Sequence, residues 1–267
     1  MKFSLTTYNE LKQKVSLLYN KLNFSKFEKS KGRKLKISVK EIITLALFKY
    51  KQGINTKKGL YKLFDLDCVY KTLVVNLNKY FILALLMLKF LLISNRNNAH
   101  LVKHTDSTDI PICLNKNARY HKTMKVFANW GHSGKGLFYG VKLHITTDLN
   151  RQLLSFCFAS GNKDDRSQFM KLNKDLNGIV IADAGYISSK LEKEFFVENE
   201  RMMFAKPKKN MKKLSTKMHN LLYDTRMLIE LNFRNLKMFY GLLTSLPRSI
   251  DGYIANYIYS ILTYALR

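Results

Sequence analysis

The 267-residue chain is long enough for one large domain or two smaller ones without covalent cross-links, and its apolar fraction of 46% excludes a disordered protein. Its 46 Lys and Arg residues against 19 Asp and Glu residues give a formal net charge of +27. Because such an excess repels itself in a compact fold, it indicates a polyanionic partner. Nucleic acid is the first candidate, and a merely basic or ribosome-associated protein is the alternative.

Cysteine content and hydropathy narrow the class of protein further. Cys68, Cys113 and Cys157 form no CxxC pair, which argues against a zinc ribbon or a disulfide framework and fits a reducing, cytoplasmic compartment. The N-terminal segment lacks the apolar core of a signal peptide. The most apolar stretch, 81–93, is shorter than the roughly 20 residues that span a bilayer, and it contains Lys89. We therefore predict a buried helix there and no membrane partner.

Residues 1–98 are predicted to form a helical, basic DNA-binding segment. Ser38 begins a capping box that opens an apolar-periodic helix, and Gly53 then breaks the chain. Asn55 or Thr56 can cap a second short helix. Two lysine-rich helices around a glycine suggest a helix-turn-helix, although an ordinary helical pair with solvated lysines fits the same pattern.

Residues 99–267 are predicted to form an α/β domain. Strand-like segments cover 101–105, 137–146 and 153–159, and a helix follows to about residue 176. The wholly apolar segment 178–182 is typical of a central strand covered on both faces. Helices and one further strand near 202–205 complete this domain, in the element order of an RNase H-like fold.

Two aspartates follow strand-like segments of this domain. Asp183 comes directly after the apolar strand, at the carboxyl edge where open α/β sheets bind ligands. Asp106 closes the first strand-like run, although a turn residue would look the same. If the first and fourth strands are neighbours, we expect the two carboxylates to converge at one edge.

A third carboxylate comes from a predicted continuous helix over about 218–240. Tyr223, Arg226, Glu230 and Lys237 are spaced so that they share an arc of roughly 60° at about 100° per residue. Apolar residues fill most of the remaining circumference, which predicts a largely buried helix with one polar stripe. Glu230 could complete a metal site, or this stripe could be an internal salt-bridge ladder.

The stretch Tyr223-x2-Arg226-x3-Glu230-x6-Lys237 resembles the Y-R-E-K signature of bacterial insertion-sequence transposases of the DDE type. Segments beginning at Asp106, 138–144, 161–166 and 183–188 resemble the same group and occur in the expected order. The resemblance implies an RNase H-like catalytic domain. It also implies that Asp106, Asp183 and Glu230 bind two Mg²⁺ or Mn²⁺ ions, and that DNA is cleaved at the element ends and joined to target DNA.

Further residues are candidate contacts to double-stranded DNA. Arg226 and Lys237 could hold phosphate oxygens, and Tyr223 could contact a phosphate or a base. Lys142 lies on a strand near the predicted site, and Trp130 lies in a loop over 115–135 that mixes aromatic and basic side chains. Two residues after Lys142, His144 fits best as a hydrogen-bonded imidazole inside the fold, and the lysine run 206–213 is either a phosphate-contacting patch or a solvated loop.

Two other functions remain open at this point. A stand-alone nuclease would cut without joining, and a catalytically decayed transposase would only bind DNA. Because a transposase handles two element ends together, we expect a homodimer on DNA, located in the cytoplasm at the nucleoid.

Overall fold

The computed structural model describes residues 4–28, 35–197, 201–207 and 216–267. By internal packing the chain divides into two units, Met1–Leu91 with Asn235–Arg267, and Leu92–Arg234. The expected boundary between residues 98 and 99 lies close to the first of these transitions. The C-terminal segment, however, packs with the N-terminal helices, a grouping that the prediction did not contain.

The first unit is helical. It contains α1 (Leu5–Lys21), α2 (Val39–Lys51), α3 (Lys57–Leu63), α4 (Tyr70–Lys79) and α10 (Ile250–Ala265). Helix α10 packs against α2 and α4. Two buried hydroxyls fix this packing: that of Tyr50 donates to Asn256 Oδ1 at 2.7 Å, and that of Tyr259 donates to the Leu77 carbonyl at 3.1 Å.

The predicted caps of α2 and α3 are confirmed. Ser38 Oγ accepts the Glu41 amide at 3.2 Å, and Thr56 Oγ1 accepts the Gly59 amide at 2.9 Å. Between the two helices Gly53 has φ +64°, a conformation that side chains disfavour, which explains the break at a glycine. The helix-turn-helix interpretation of this pair stays a prediction.

Helix α5 (Phe81–Asn97) runs from the first unit into the second and is half-buried, so the prediction of a buried helix was wrong for one face. Leu83, Ala84, Met87, Leu88 and Leu92 are buried, whereas an opposite stripe leaves the side chains of Ile82, Leu86 and Ile93 exposed. By length and composition alone the stretch Tyr70–Asn97 could cross a membrane, a test that core helices of soluble proteins also pass.

The second unit is built on a mixed six-stranded sheet within the described residues, which confirms the α/β class. The strands are β1 (Val102–Pro111), β2 (Asn129–Ser133), β3 (Gly136–Asp148), β4 (Leu153–Ser160), β5 (Ile179–Ala182) and β6 (Met202–Ala205). Their order is β2-β3-β1-β5-β6, with β4 also paired to β3. Strands β1 and β5 are parallel neighbours, which meets the condition under which Asp106 and Asp183 were expected to converge. Strand β2 was missed because its residues were assigned to a loop.

Strand β5 is covered on both faces, as its apolar sequence predicts. Val180 and Ala182 pack in a cluster with Phe169 of α6 (Arg166–Asn173) and Phe195 of α7 (Ser189–Val197). On the other face Ile181 packs with residues that include Val102 of β1 and Tyr223. Burial on both sides fixes the position of the chain that follows, which begins with Asp183.

The helix predicted over 218–240 is two helices, α8 (Lys217–Asp224) and α9 (Met227–Met238), with a turn between them. The continuous polar stripe was therefore a wrong prediction, because Tyr223 lies in a different helix from Glu230. The prediction of large-scale burial was also wrong. Met227 is 60% exposed and Met238 is 64% exposed, so α9 is a half-buried helix.

Candidate active site

The register of the sheet places two carboxylates level with each other. Strands β1 and β5 pair from Val102 with Ile179 to His104 with Ile181, a constant offset of 77 residues. The same offset aligns Asp106 with Asp183, two residues beyond the last pair. The sequence had suggested that Asp106 ends its strand, and this prediction was wrong. Strand β1 continues to Pro111 against β3, so Asp106 lies where β5 stops and its edge opens.

Arg226 brings the three predicted carboxylates together. Its Nη2 donates to Asp106 Oδ2 at 3.0 Å, and its Nη1 lies 3.4 Å from Asp183 Oδ1 and 3.5 Å from Glu230 Oε1. Arg226 lies in the turn between α8 and α9, and Glu230 lies in the first turn of α9. One guanidinium therefore joins carboxylates from the interior of β1, the end of β5 and the helix α9.

The electrostatics of the four groups differ with their burial. Burial raises the pKa of Asp106 to about 6, although Arg226 and the Ser107 amide favour its ionised form. Burial opposes the charge of Arg226, but the surrounding carboxylates, first of all Asp106, raise its pKa above the usual value. The side chains of Asp183 and Glu230 are 48% and 62% exposed, so these two carboxylates face solvent.

A buried histidine that the sequence did not single out fixes the turn carrying Arg226. Thr225 Oγ1 donates to the Leu222 carbonyl at 2.6 Å and lies 2.8 Å from His104 Nε2. Because the hydroxyl proton is committed to Leu222, Nε2 of His104 must be the donor. Burial lowers the pKa of His104 to about 4, which keeps the imidazole neutral and leaves Nδ1 as a bare acceptor without a partner among the described residues. His104, which lies two residues before Asp106 in β1, thus links that strand to the turn that carries Arg226.

Two of the predicted DNA contacts are engaged inside the protein. Tyr223 is buried, and its hydroxyl donates to the Ala205 carbonyl at 3.0 Å, which ties α8 to the end of β6. Lys142 Nζ donates to Asp165 Oδ1 at 2.9 Å and to the Lys163 carbonyl at 3.0 Å. A DNA contact through either group would have to replace these bonds, so the geometry favours structural roles.

The other predicted residues fall at different places. Trp130 lies on the edge strand β2, 40% exposed, with its ring edge-to-face against Tyr139 at 5.5 Å between centroids. Lys237 lies in the last turn of α9, in the portion of the chain that belongs to the first unit. His144 is fully buried, but neither ring nitrogen has a hydrogen-bond partner within the described structure, contrary to expectation. Most of the lysine run 206–213 lies outside the described residues.

The chemistry of this donor set fits a hard divalent cation. Carboxylate oxygens are the ligands that Mg²⁺ and Mn²⁺ prefer, and Asp106, Asp183 and Glu230 already surround one positive charge. In this structure the guanidinium of Arg226 lies between the three carboxylates and contacts each of them. Over the described residues, no three acidic, His or Cys side chains are close enough to hold a metal ion as they stand.

A protein family described as the transposase DDE domain matches residues 96–249, which is more than half of the chain and includes all three carboxylates. Searches of curated proteins and of solved structures find no match. By the extent of the family match, the chain belongs to the DDE-domain transposases.

Proposed function

We propose that this chain is an insertion-sequence transposase of the Y-R-E-K type. In this proposal an RNase H-like domain cleaves the ends of the element and transfers them to target DNA. The observation that carries it is the convergence of Asp106, Asp183 and Glu230 on Arg226 at the point where β5 ends beside β1. The sheet order, with a long antiparallel strand beside β1 and a parallel β5 on its other side, is compatible with that fold.

Asp106, Asp183 and Glu230 would hold two Mg²⁺ or Mn²⁺ ions, which when bound supply Lewis-acid stabilisation for an in-line displacement at phosphorus. The protein contributes the placement of these carboxylates. The sheet register sets Asp106 against Asp183, and the Ser107 amide orients Asp106 by donating to Oδ1 at 2.8 Å. If bound cations neutralised the three carboxylates, the guanidinium of Arg226 would be free to hold a phosphate oxygen of the DNA.

The proposed partner is double-stranded DNA, both the terminal inverted repeats and the target. The net charge of +27 supports it, because each neutralised phosphate adds salt-dependent affinity. Two ends must be held together, so we propose a homodimer on DNA, acting in the bacterial cytoplasm. Trp130, which is exposed, and Lys237 are proposed DNA contacts, whereas Tyr223 and Lys142 are proposed to have structural roles.

The experiment is cleavage and joining of a labelled duplex that carries the flanking ends of the gene, with Mg²⁺ or Mn²⁺. We expect Asp183→Asn to reduce both reactions more than about 100-fold, because a direct ligand is lost. The matched control is Asp175→Asn, at a 64% exposed carboxylate that pairs with Arg96.

Three outcomes separate the candidate functions. Activity lost in Asp183→Asn but kept in Asp175→Asn supports the proposal. Cleavage without joining and without preference for element ends would indicate a nuclease instead. DNA binding without scission in a folded wild-type sample would indicate a decayed transposase that only binds DNA.

A further inference from the structure

The first unit contains a cavity of about 470 Å³ that no part of the proposed mechanism uses. It is lined by residues of α2, α3 and α4, by the segment 244–249 and by the start of α10. Three of the lining side chains are basic, namely Lys49, Lys57 and Arg248, and none of the described residues that line it is acidic. A cavity of this size falls within the range of small-ligand sites, which is about 300–1,000 Å³.

Lys49 is the unusual member of the set. The residue is only 7% exposed, and it lines the cavity. Within the part of the chain that the structure describes, no hydrogen bond or ion pair reaches its ammonium group. The contact that it does make is with the ring face of Tyr50, with Nζ 4.1 Å from the centroid. A buried ammonium normally has a carboxylate or a bound anion beside it, because removal from water is costly.

The second lysine of the cavity, Lys57, adds positive charge near Lys49 and does not neutralise it. Lys57 Nζ donates to Asn78 Oδ1, a neutral acceptor that cannot balance its charge. Burial lowers the pKa of Lys57 to about 8, and burial together with the charge of Lys57 lowers the pKa of Lys49 to about 8. An anion placed between these groups would remove both the repulsion and the burial cost.

The remaining lining groups indicate what the anion is attached to. Arg248 is exposed at the rim and can fork onto a phosphate. Tyr70 is 40% exposed, so its ring can take part in stacking. The cavity opens beside the N-terminus of α10, a 16-residue helix whose dipole favours negative charge.

We propose that this cavity binds the phosphate group of a nucleotide, with Lys49, Lys57 and Arg248 as its ligands and Tyr70 beside the nucleoside. The nucleotide could be a unit of a DNA strand or a free nucleotide, and both offer the same phosphate chemistry. This site is separate from the carboxylates of the second unit, so it does not depend on the proposed catalytic function.

The test uses the full chain in EDTA, so that no cleavage can occur. One arm measures binding of deoxyadenosine monophosphate, with deoxyadenosine as the probe that lacks phosphate. The other arm measures binding of a labelled duplex that carries the element ends. The variants are Lys49→Met and Lys57→Met. The control is Lys58→Met, which removes the same charge from an exposed position of α3 outside the cavity.

We expect both cavity variants to lower the affinity for the phosphate-bearing probe by about ten-fold or more. The control variant should lower this affinity by less than about two-fold. An effect on the monophosphate alone identifies a free nucleotide as the ligand. An effect on the duplex alone, with a salt slope lower by about 1, identifies a strand phosphate.

The proposal is overturned if Lys49→Met and Lys58→Met behave alike with both probes, or if deoxyadenosine and its monophosphate both bind, with equal affinity. Loss of fold does not confuse the result, because removal of an unneutralised buried charge is expected to stabilise the protein. Thermal unfolding of each variant without a ligand verifies this.

Discussion

The buried ammonium of Lys49 leads to a quantitative prediction for Lys49→Met. Burial and the charge of nearby Lys57 lower its pKa from 10.5 to about 8. At about 1.36 kcal/mol for each factor of ten in proton affinity, keeping Lys49 charged in the folded protein at neutral pH costs on the order of 3 kcal/mol. Methionine has a similar length and no charge, but it loses the contact with the Tyr50 ring, worth about 0.5–1 kcal/mol. We therefore expect the variant to be more stable by about 2 kcal/mol at pH 7.

The same shift fixes how the stability of the wild type depends on pH. The pKa of Lys49 is lower in the folded than in the unfolded chain, so between about pH 8 and 10.5 the unfolded chain binds more protons. The free energy of unfolding of the wild type therefore increases as the pH rises through this window, because Lys49 loses its charge in the folded protein. Below about pH 8 Lys49 is charged in both states, and the full cost of its buried charge remains. The advantage of Lys49→Met should shrink over the same window.

The assay is thermal or urea unfolding of wild type, Lys49→Met and the exposed control Lys58→Met at pH values from 6.5 to 10.5, without phosphate in the buffer. The reasoning is refuted if Lys49→Met is less stable than the wild type at pH 7. It is also refuted if the difference between the two proteins does not change with pH, because then the ammonium is not buried at a cost.

Three further predictions concern the second unit. Arg226→Gln should lower the free energy of unfolding by about 2 kcal/mol in urea titrations. This is less than the roughly 3–5 kcal/mol lost when a buried ion pair is broken, because Asp106 can become protonated. A change under about 0.5 kcal/mol would contradict the charge-balancing role of Arg226. Tyr223→Phe should cost about 1 kcal/mol of stability and leave DNA affinity within about two-fold in a gel-shift titration, whereas a ten-fold loss of affinity would restore the DNA-contact interpretation. Gly140→Ala should unfold the sheet or cost more than about 3 kcal/mol by calorimetry, because an added Cβ would lie 2.1 Å from a carbonyl oxygen of β1; Gly134→Ala, with open space around it, is the control, and equal stability of the two would refute the close approach.

Local signals in the sequence predicted the features that depend on neighbouring residues. The caps at Ser38 and Thr56 and the break at Gly53 follow from a few residues each, and all three are present. The wholly apolar segment before Asp183 predicted a central strand, because only burial on both faces allows such a run. The convergence of Asp106 and Asp183 was expected only if their strands are neighbours, and β1 and β5 do pair.

Features that depend on distant contacts were not predictable in this way. The helical periodicity continues through Thr225, and nothing local indicates that α8 ends at Asp224 or that the Thr225 hydroxyl contacts the buried His104. Likewise, the packing of α10 on α2 depends on a bond between Tyr50 and Asn256, more than 200 residues apart. Tyr223 resembles the signature tyrosine in sequence spacing, but its hydroxyl donates to the Ala205 carbonyl at the end of β6.

The break between α8 and α9 also explains how one arginine can serve three carboxylates. In a continuous helix Arg226 and Glu230 would be adjacent surface neighbours, whereas in the turn the guanidinium reaches the edge shared by β1 and β5. With all groups ionised, three carboxylates and one guanidinium carry a net charge of −2, which would repel a DNA phosphate. On the proposed function, two divalent cations would reverse that sign to +2, so a DNA backbone would be attracted only to the metal-loaded site. The charge of Arg226 can then hold the site together before loading and bind the substrate afterwards, which gives one residue two roles in succession.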